Sequence, residues 1–243
     1  MIVKLLVEYD GTAYCGWQVQ PNGNTVQAEL EKALFSLTGE KIGAVGSGRT
    51  DSGVHAKGQV VSFSVAAKNI PAEKYAPALN AYLPRDIRVL KSERAAENFN
   101  ARFSAKRKTY RYTFYVSDTE RPLYERYAAK SAPLDVARMQ AAAALFVGEH
   151  DFKSFCAANS AVKSTVRTVY SAAVERQGDL VFFTVCGNGF LYNMVRIMAG
   201  LLAEVGEGRL SAEDVKKILE GKKRGAGRTA PAKGLCLTGV EYD

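Results

Sequence analysis

The chain has 243 residues, 47% of them apolar, enough to bury one large core or two smaller ones. A formal net charge of +8 points to a polyanionic partner such as nucleic acid, or more plainly to a solvated basic surface. Four scattered cysteines with no C-x-x-C, and two histidines far apart at His55 and His150, exclude a zinc signature and read as reduced thiols in a cytoplasmic protein.

Met1 to Glu8 opens as a strand, not a secretory signal. Val3, Leu5, Val7 and Tyr9 alternate with Lys4 and Glu8, the mark of a half-buried strand, and Asp10-Gly11 predicts a turn. Val26, Leu30, Ala33, Leu34 and Leu37 recur at helical spacing behind Asn24 or Thr25 as N-cap, and Gly39 can end that helix. Strands are predicted over 41–46 and 58–65, a helix between Pro71 and Pro84, and a strand over Ile87–Leu90. This β-α-β-β-α-β order is the ferredoxin-like arrangement.

The second half repeats it. Lys108–Val116 alternates as a strand and Leu134–Val147 is an Ala-rich helix. Residues 165–175 and 179–186 form a hairpin around Gln177-Gly-Asp. Helices are predicted over Phe190–Val205 and Ser211–Glu220, and a strand over Leu235–Tyr242. The longest apolar stretch, Phe190 to Val205, contains Arg196 and Glu204 and is short for a bilayer span, so no membrane association is expected. The expected architecture is α+β: two ferredoxin-like (RRM-like) halves, 1–104 and 105–243, sharing one continuous, mostly antiparallel sheet with helices packed on it and a central cleft.

"GSGRTDSGVH" (46–55) packs three glycines, Arg49, Asp51 and His55 into ten positions. It lacks the third glycine of a dinucleotide fingerprint, the Gly-Lys-Ser/Thr of a P-loop, and the alternating oxygen ligands of a calcium loop. What remains is a carboxylate flanked by glycines with an arginine two residues before it, or simply a tight turn with a local ion pair. In "FSAKRKTYRY" (103–112), three consecutive basic residues lead into a strand where Tyr110 and Tyr112 share a face. That is a solvated edge with two core tyrosines, or a phosphate-contacting stripe that delivers an aromatic to a base. In "FLYNMVRIM" (190–198), Asn193 and Arg196 lie three apart on a helix apolar nearly all round. A buried guanidinium there needs an anion: Asp51, another carboxylate, or a substrate phosphate.

"GRTDSGVHA" (48–56), "ARFSAKRKTYRY" (101–112), "GFLYNMVRIM" (189–198) and "PAKGLCLTGVEY" (231–242), together with "YCGWQVQPNGNTVQ" (14–27), resemble the TruA family of tRNA pseudouridine synthases from end to end. The resemblance implies two α+β halves around a central active site, a homodimer, and no metal or organic cofactor. It implies that Asp51 is the catalytic aspartate, with Arg49 the arginine two before it. Tyr110 matches the tyrosine beside the target uracil, Arg196 an arginine paired with the aspartate, and Leu235 an apolar residue near the base. His55 and Asn193 are further candidate substrate-binding residues. Arg102, Lys106, Arg107, Lys108 and Arg111 form one expected RNA surface; Lys222, Lys223, Arg224 and Arg228 form the other. Two positions depart from the family pattern: Asn100, where histidine is common before "ARF", and Lys233, in a variable position.

The implied reaction breaks the bond from uracil N1 to ribose C1′, turns the base, and rejoins C5 to C1′. It is an isomerisation that needs no redox or group-carrying cofactor, and a carboxylate suits it as nucleophile or as stabiliser of positive charge developing at the sugar. The implied substrate is the anticodon stem-loop of tRNA, at positions 38, 39 and/or 40 in tRNA numbering. A non-catalytic RNA-binding protein with two RRM-like halves is the alternative, but Lys57–Phe63 lacks the stacking aromatics of an RNP1 strand. A glycoside hydrolase would pair two carboxylates, and the loop offers one.

Overall fold

The structure, a computed structural model, describes residues 1–66, 69–157, 162–221 and 227–242. In chain order the regular elements are β1 (Ile2–Tyr9), α1 (Val26–Thr38), β2 (Val45–Gly46), β3 (His55–Ser64), α2 (Tyr75–Asn80) and β4 (Ile87–Ala95). Then come β5 (Arg107–Val116), β6 (Ala129–Ser131), α3 (Val136–Ala144), β7 (Gly148–Asp151), β8 (Val166–Gln177), β9 (Leu180–Gly187), α4 (Met194–Gly206), α5 (Ala212–Glu220) and β10 (Leu235–Glu241). The fold is mixed α+β, and its strands pair almost wholly antiparallel. The short β6 lies parallel to β5. Among the described residues, no helix is long and apolar enough to cross a membrane.

The chain divides into two compact units. One comprises Met1–Lys106 with Leu237–Asp243, the other Arg107–Cys236. In the first unit the strand order is β4-β1-β3, with β2 also paired to β3, as in a ferredoxin-like sheet. Alternation along β1 buries Val3, Leu5, Val7 and Tyr9. Helix α1 begins where the Thr25 hydroxyl accepts the Ala28 N–H and ends where Gly39 takes φ 74°. It buries Val26, Leu30, Ala33 and Leu34. Although everything after residue 104 was expected in the second half, the C-terminal segment from Leu237 joins this unit. Its β10 runs beside β3, and Gly58 admits it, since a Cβ there would stand 2.6 Å from the Thr238 carbonyl.

The strand expected over 41–46 shrinks to Val45–Gly46 because helix α1 captures the backbone before it. Glu31 Oε1 accepts the Ala44 N–H at 3.0 Å, and Gln27 Nε2 donates to the Ala44 carbonyl at 3.1 Å. The helix after Pro71 is a 3₁₀ turn, Ala72–Lys74, running into the short α2.

In the second unit the order is β5-β9-β8-β7. The β8–β9 hairpin turns at Gly178, which takes φ 59°. Helix α3 packs on β8, on α4 and on α5. Helix α4 is apolar nearly all round and correspondingly buried from Met194 to Gly206, Arg196 and two other positions excepted. It starts at Met194 rather than Phe190, because Asn193 takes the left-handed φ of 63° and Phe190 turns away to pack on Tyr110. Helix α5 carries a capping box: the Ser211 hydroxyl accepts the Asp214 N–H, and the Asp214 carboxylate accepts the Ser211 N–H.

Candidate active site

The loop from Gly46 to Val54 joins β2 to β3, and backbone bonds from the segment after β1 hold it. The Trp17 N–H donates to the Thr50 carbonyl at 3.0 Å, and the Gly53 N–H donates to the Tyr14 carbonyl at 3.3 Å. The Ser52 hydroxyl reaches the same Tyr14 carbonyl, at 3.2 Å. From below, the buried Tyr9 and Thr50 hydroxyls bond at 2.7 Å. Within the loop the Val54 N–H returns to the Asp51 carbonyl at 3.1 Å, closing a turn with Gly53 at φ 77°. Asp51 is thereby half-buried on a backbone fixed on both sides. A carboxylate so mounted needs little reorganisation to meet a reactant.

The contact is close enough to demand glycine. Gly46 lies flat against the buried Trp17 indole, where a Cβ would sit 2.6 Å from the ring. Gly16, at φ 85°, leaves no room for a Cβ beside the Thr50 carbonyl. Arg49 is exposed, and its Nε donates to Gln18 Oε1 at 3.2 Å. His55 is buried, 5% exposed, and its Nδ1 sits 3.0 Å from the Gly11 N–H and 3.2 Å from Asp10 Oδ1. These contacts tie His55 to the turn after β1.

In the second unit, Tyr110 on β5 is 7% exposed and meets Phe190 edge-on, with ring centroids 5.3 Å apart. Arg196, half-buried on α4, clasps the chain at Ala230. Its Nε donates to the Ala230 carbonyl at 2.8 Å, and the Ala230 N–H donates to the Arg196 carbonyl at 3.1 Å. Its Nη1 also donates to Asn193 Oδ1 at 2.9 Å, so these two residues meet as their spacing predicts. Gly200 makes the clasp possible, because a Cβ there would strike the Arg228 carbonyl.

Two residues further on, the Tyr112 hydroxyl donates to the Pro231 carbonyl at 2.8 Å, and Gly234 rests on the Tyr112 ring. Burial raises the Tyr112 hydroxyl's pKa, against the opposing pull of Arg196 and Arg228, so it remains a donor. This seating delivers Leu235, 5% exposed, to the start of β10.

The basic residues around Tyr110 do not share one face of the strand. Strand alternation places Arg107 and Arg111 on the face opposite Tyr110 and Tyr112, and Lys108 on the tyrosines' face. Arg107 stacks over Tyr170 at 4.6 Å, and Arg111 over Phe182 at 5.3 Å, with its Nε bonded to Thr184. Arg102, exposed, lies 5.5 Å over Phe103, and Lys106 and Arg228 are also exposed. Lys222, Lys223 and Arg224 lie outside the described residues.

Among the described residues, no group of three or more His, Cys, Asp or Glu side chains gathers to hold a metal ion. Sequence reasoning passed over Tyr9, Gly16, Gln18 and Gln59.

The tRNA pseudouridine synthase family matches residues 5–104 and 142–243, which takes in most of each unit. The chain is 49% identical to tRNA pseudouridine synthase A of Geobacter sp. (strain M21) over 243 residues, covering 99% of this chain and 98% of that protein. It is 50% identical to tRNA pseudouridine synthase A of Moorella thermoacetica over 244 residues, covering 99% of each. Among solved structures it is similar to the crystal structure of a Cbf5-Nop10-Gar1 complex, at TM-score 0.35 and 20% identity, over 83% of this chain and 45% of that one. With a family match spanning both units and about half of all residues shared along the full length, the chain belongs to the tRNA pseudouridine synthases, isomerases that act on tRNA.

Proposed function

We propose that this enzyme isomerises uridine in the anticodon stem-loop, at positions 38, 39 and/or 40 of tRNA, with Asp51 as the nucleophile. The observation that carries the reading is the mounting of Asp51, a half-buried carboxylate on a loop whose backbone is bonded on both sides. A carboxylate suits the task of bonding to an electrophilic carbon of the uridine and leaving again once the base has turned. Arg49, Tyr110 and Arg196 serve the same reaction: the arginines as fixed positive charge, and Tyr110 as the ring that holds the base and later accepts a proton.

Leu235, Asn193 and His55 complete the set that receives the nucleotide. The target nucleotide must leave its stack, at a cost of a few kcal/mol. Phosphate contacts from Arg102, Lys106, Arg107, Lys108, Arg111 and Arg228, and from the basic run 222–224, offset that cost. The enzyme acts as a cytoplasmic homodimer without metal or organic cofactor; the family resemblance supports this.

The test is incubation with unmodified tRNA, followed by sequencing that maps pseudouridine. Pseudouridine at 38, 39 or 40 is expected. Pseudouridine elsewhere would overturn the assigned position, and release of free uracil would overturn the isomerase reading.

A further inference from the structure

Gln59 sits on β3 and is completely buried. Its side-chain amide spends both ends on the loop that carries Asp51. Oε1 accepts the Ser47 hydroxyl at 2.6 Å, and Nε2 donates to the Gly48 carbonyl at 3.0 Å. Ser47 is itself fully buried, and its N–H donates to the Val60 carbonyl at 2.8 Å. The Tyr242 hydroxyl also engages the Ser47 side chain, and it donates to the Ala101 carbonyl at 2.7 Å. A buried polar chain therefore runs from the Gly48 backbone through Gln59 and Ser47 to the C-terminal strand, all within the first unit.

A buried amide is costly unless it is fully bonded, whereas methionine would fill the same volume with no polar group of its own to satisfy. The amide at this position thus does something packing cannot. Thr50 is pinned by Tyr9 and Trp17, and Gly53 by Tyr14. The start of the loop, where Gly48 gives the backbone its greatest freedom, is pinned by Gln59.

We propose that Gln59 is a positioning residue for the isomerisation: by fixing Ser47 and the Gly48 carbonyl, it sets the direction in which Asp51 is presented. The proposal rests on Asp51 being the catalytic carboxylate. Gln59 touches neither substrate nor solvent, so its loss broadens the distribution of Asp51 and leaves the RNA-contacting surface intact. Misplacement of a reacting group by about 1 Å costs up to about a hundredfold in rate.

The experiment compares Gln59→Met, Gln59→Glu and Asp51→Asn with the unaltered chain. It measures the single-turnover rate at saturating enzyme on unmodified tRNA, the tRNA dissociation constant, and thermal melts. Gln59→Met is expected to lose about tenfold to a hundredfold in saturated rate. Its tRNA affinity should hold within about twofold, the pattern of an interaction used only on the way to the transition state.

Gln59→Glu supplies a signature that a merely structural role would not produce. When ionised, its carboxylate cannot donate to the Gly48 carbonyl. When protonated, it donates as the amide does, and burial raises the pKa at which that happens. Its rate relative to the unaltered enzyme should therefore rise as pH falls. If Gln59→Met does not fold, this ratio and the milder Ser47→Ala decide the matter.

A saturated rate within about twofold of the unaltered enzyme, or a loss confined to affinity, overturns the proposal. So does a Gln59→Glu rate ratio that is flat with pH. An inert Asp51→Asn beside a fully active Gln59→Met overturns the positioning role alone. An active Asp51→Asn removes the reading of Asp51 beneath it, and the proposal falls with that reading.

Discussion

Replacing Gly16 with alanine pushes on the backbone of the Asp51 loop while leaving every side chain proposed to meet the RNA in place. Gly16 holds φ at 85°, a conformation that costs an L-residue about 1–2 kcal/mol. The added Cβ would stand 2.5 Å from the Thr50 carbonyl, where ordinary contact begins at 3.4 Å, so about 0.9 Å must be found. It would also stand 3.1 Å from the Asp51 carbonyl carbon and 3.2 Å from the Ser52 nitrogen, so the displacement falls on the backbone that carries Asp51. The obstruction is backbone held by Trp17 and Tyr9, not a flexible side-chain end that could swing aside.

Strain and the weakened Trp17–Thr50 bond together should destabilise the protein by about 2–3 kcal/mol. For a chain of this length that lowers the melting temperature by roughly 4–12 °C. Because the shift approaches 1 Å, the single-turnover rate on folded enzyme should fall by about tenfold to a hundredfold. The assay pairs differential scanning calorimetry with single-turnover pseudouridine formation at saturating enzyme, well below the variant's melting temperature. A Gly16→Ala enzyme that melts lower but turns over at the original rate would refute the coupling between this contact and Asp51.

Asp51→Asn keeps size and packing but removes the anion, so pseudouridine formation should fall to no more than a few per cent while filter binding of tRNA stays unchanged. Appreciable residual single-turnover rate would count against Asp51 as nucleophile. Arg196→Ala leaves the Ala230 carbonyl and the Asn193 amide without their guanidinium donor, and should cost about 1–3 kcal/mol in chemical denaturation. Lysine should restore little of it, because one ammonium cannot reproduce a fork that serves two acceptors; full recovery by lysine would show that charge alone matters.

Glu93 is held below the usual carboxylate range by its hydrogen bonds with Lys91, at 2.6 Å, and Lys4, at 3.1 Å. A depressed folded-state pKa gives stability that is present above the unfolded value and lost as pH falls through the folded one. Glu93→Gln should therefore destabilise by less than about 1 kcal/mol at neutral pH for so exposed a cluster, and by nothing in acid. Denaturation midpoints at the two pH values check this, and a difference that does not change with pH would contradict it.

The local chemistry of the chain determined much by itself. Asn24 or Thr25 before an apolar helical stripe and Gly39 after it placed the ends of α1 within a residue, because capping and left-handed backbone are properties of a few adjacent positions. The bounds Ser211–Glu220 likewise matched α5, period-two alternation marked β1 and β5, and Gln177-Gly-Asp marked the β8–β9 hairpin. The loop carrying Asp51 was legible as a loop around a carboxylate because glycine density and a lone acid survive without knowledge of neighbours.

What only the tertiary structure decided depended on distant partners. Residues 41–44 have strand-like character, but Gln27 and Glu31 of α1 took the backbone bonds at Ala44. Phe190–Asn193 has helical character, but Tyr110 drew Phe190 aside. The short β6 and β7 exist only because β5 and β8 offer them an edge. Arg107 and Arg111 part from Lys108 because a strand in a sheet has two faces. Gln59 became meaningful only when folding brought it against Ser47 and Gly48, since a hydrogen bond formed inside a core leaves no periodic trace in the sequence.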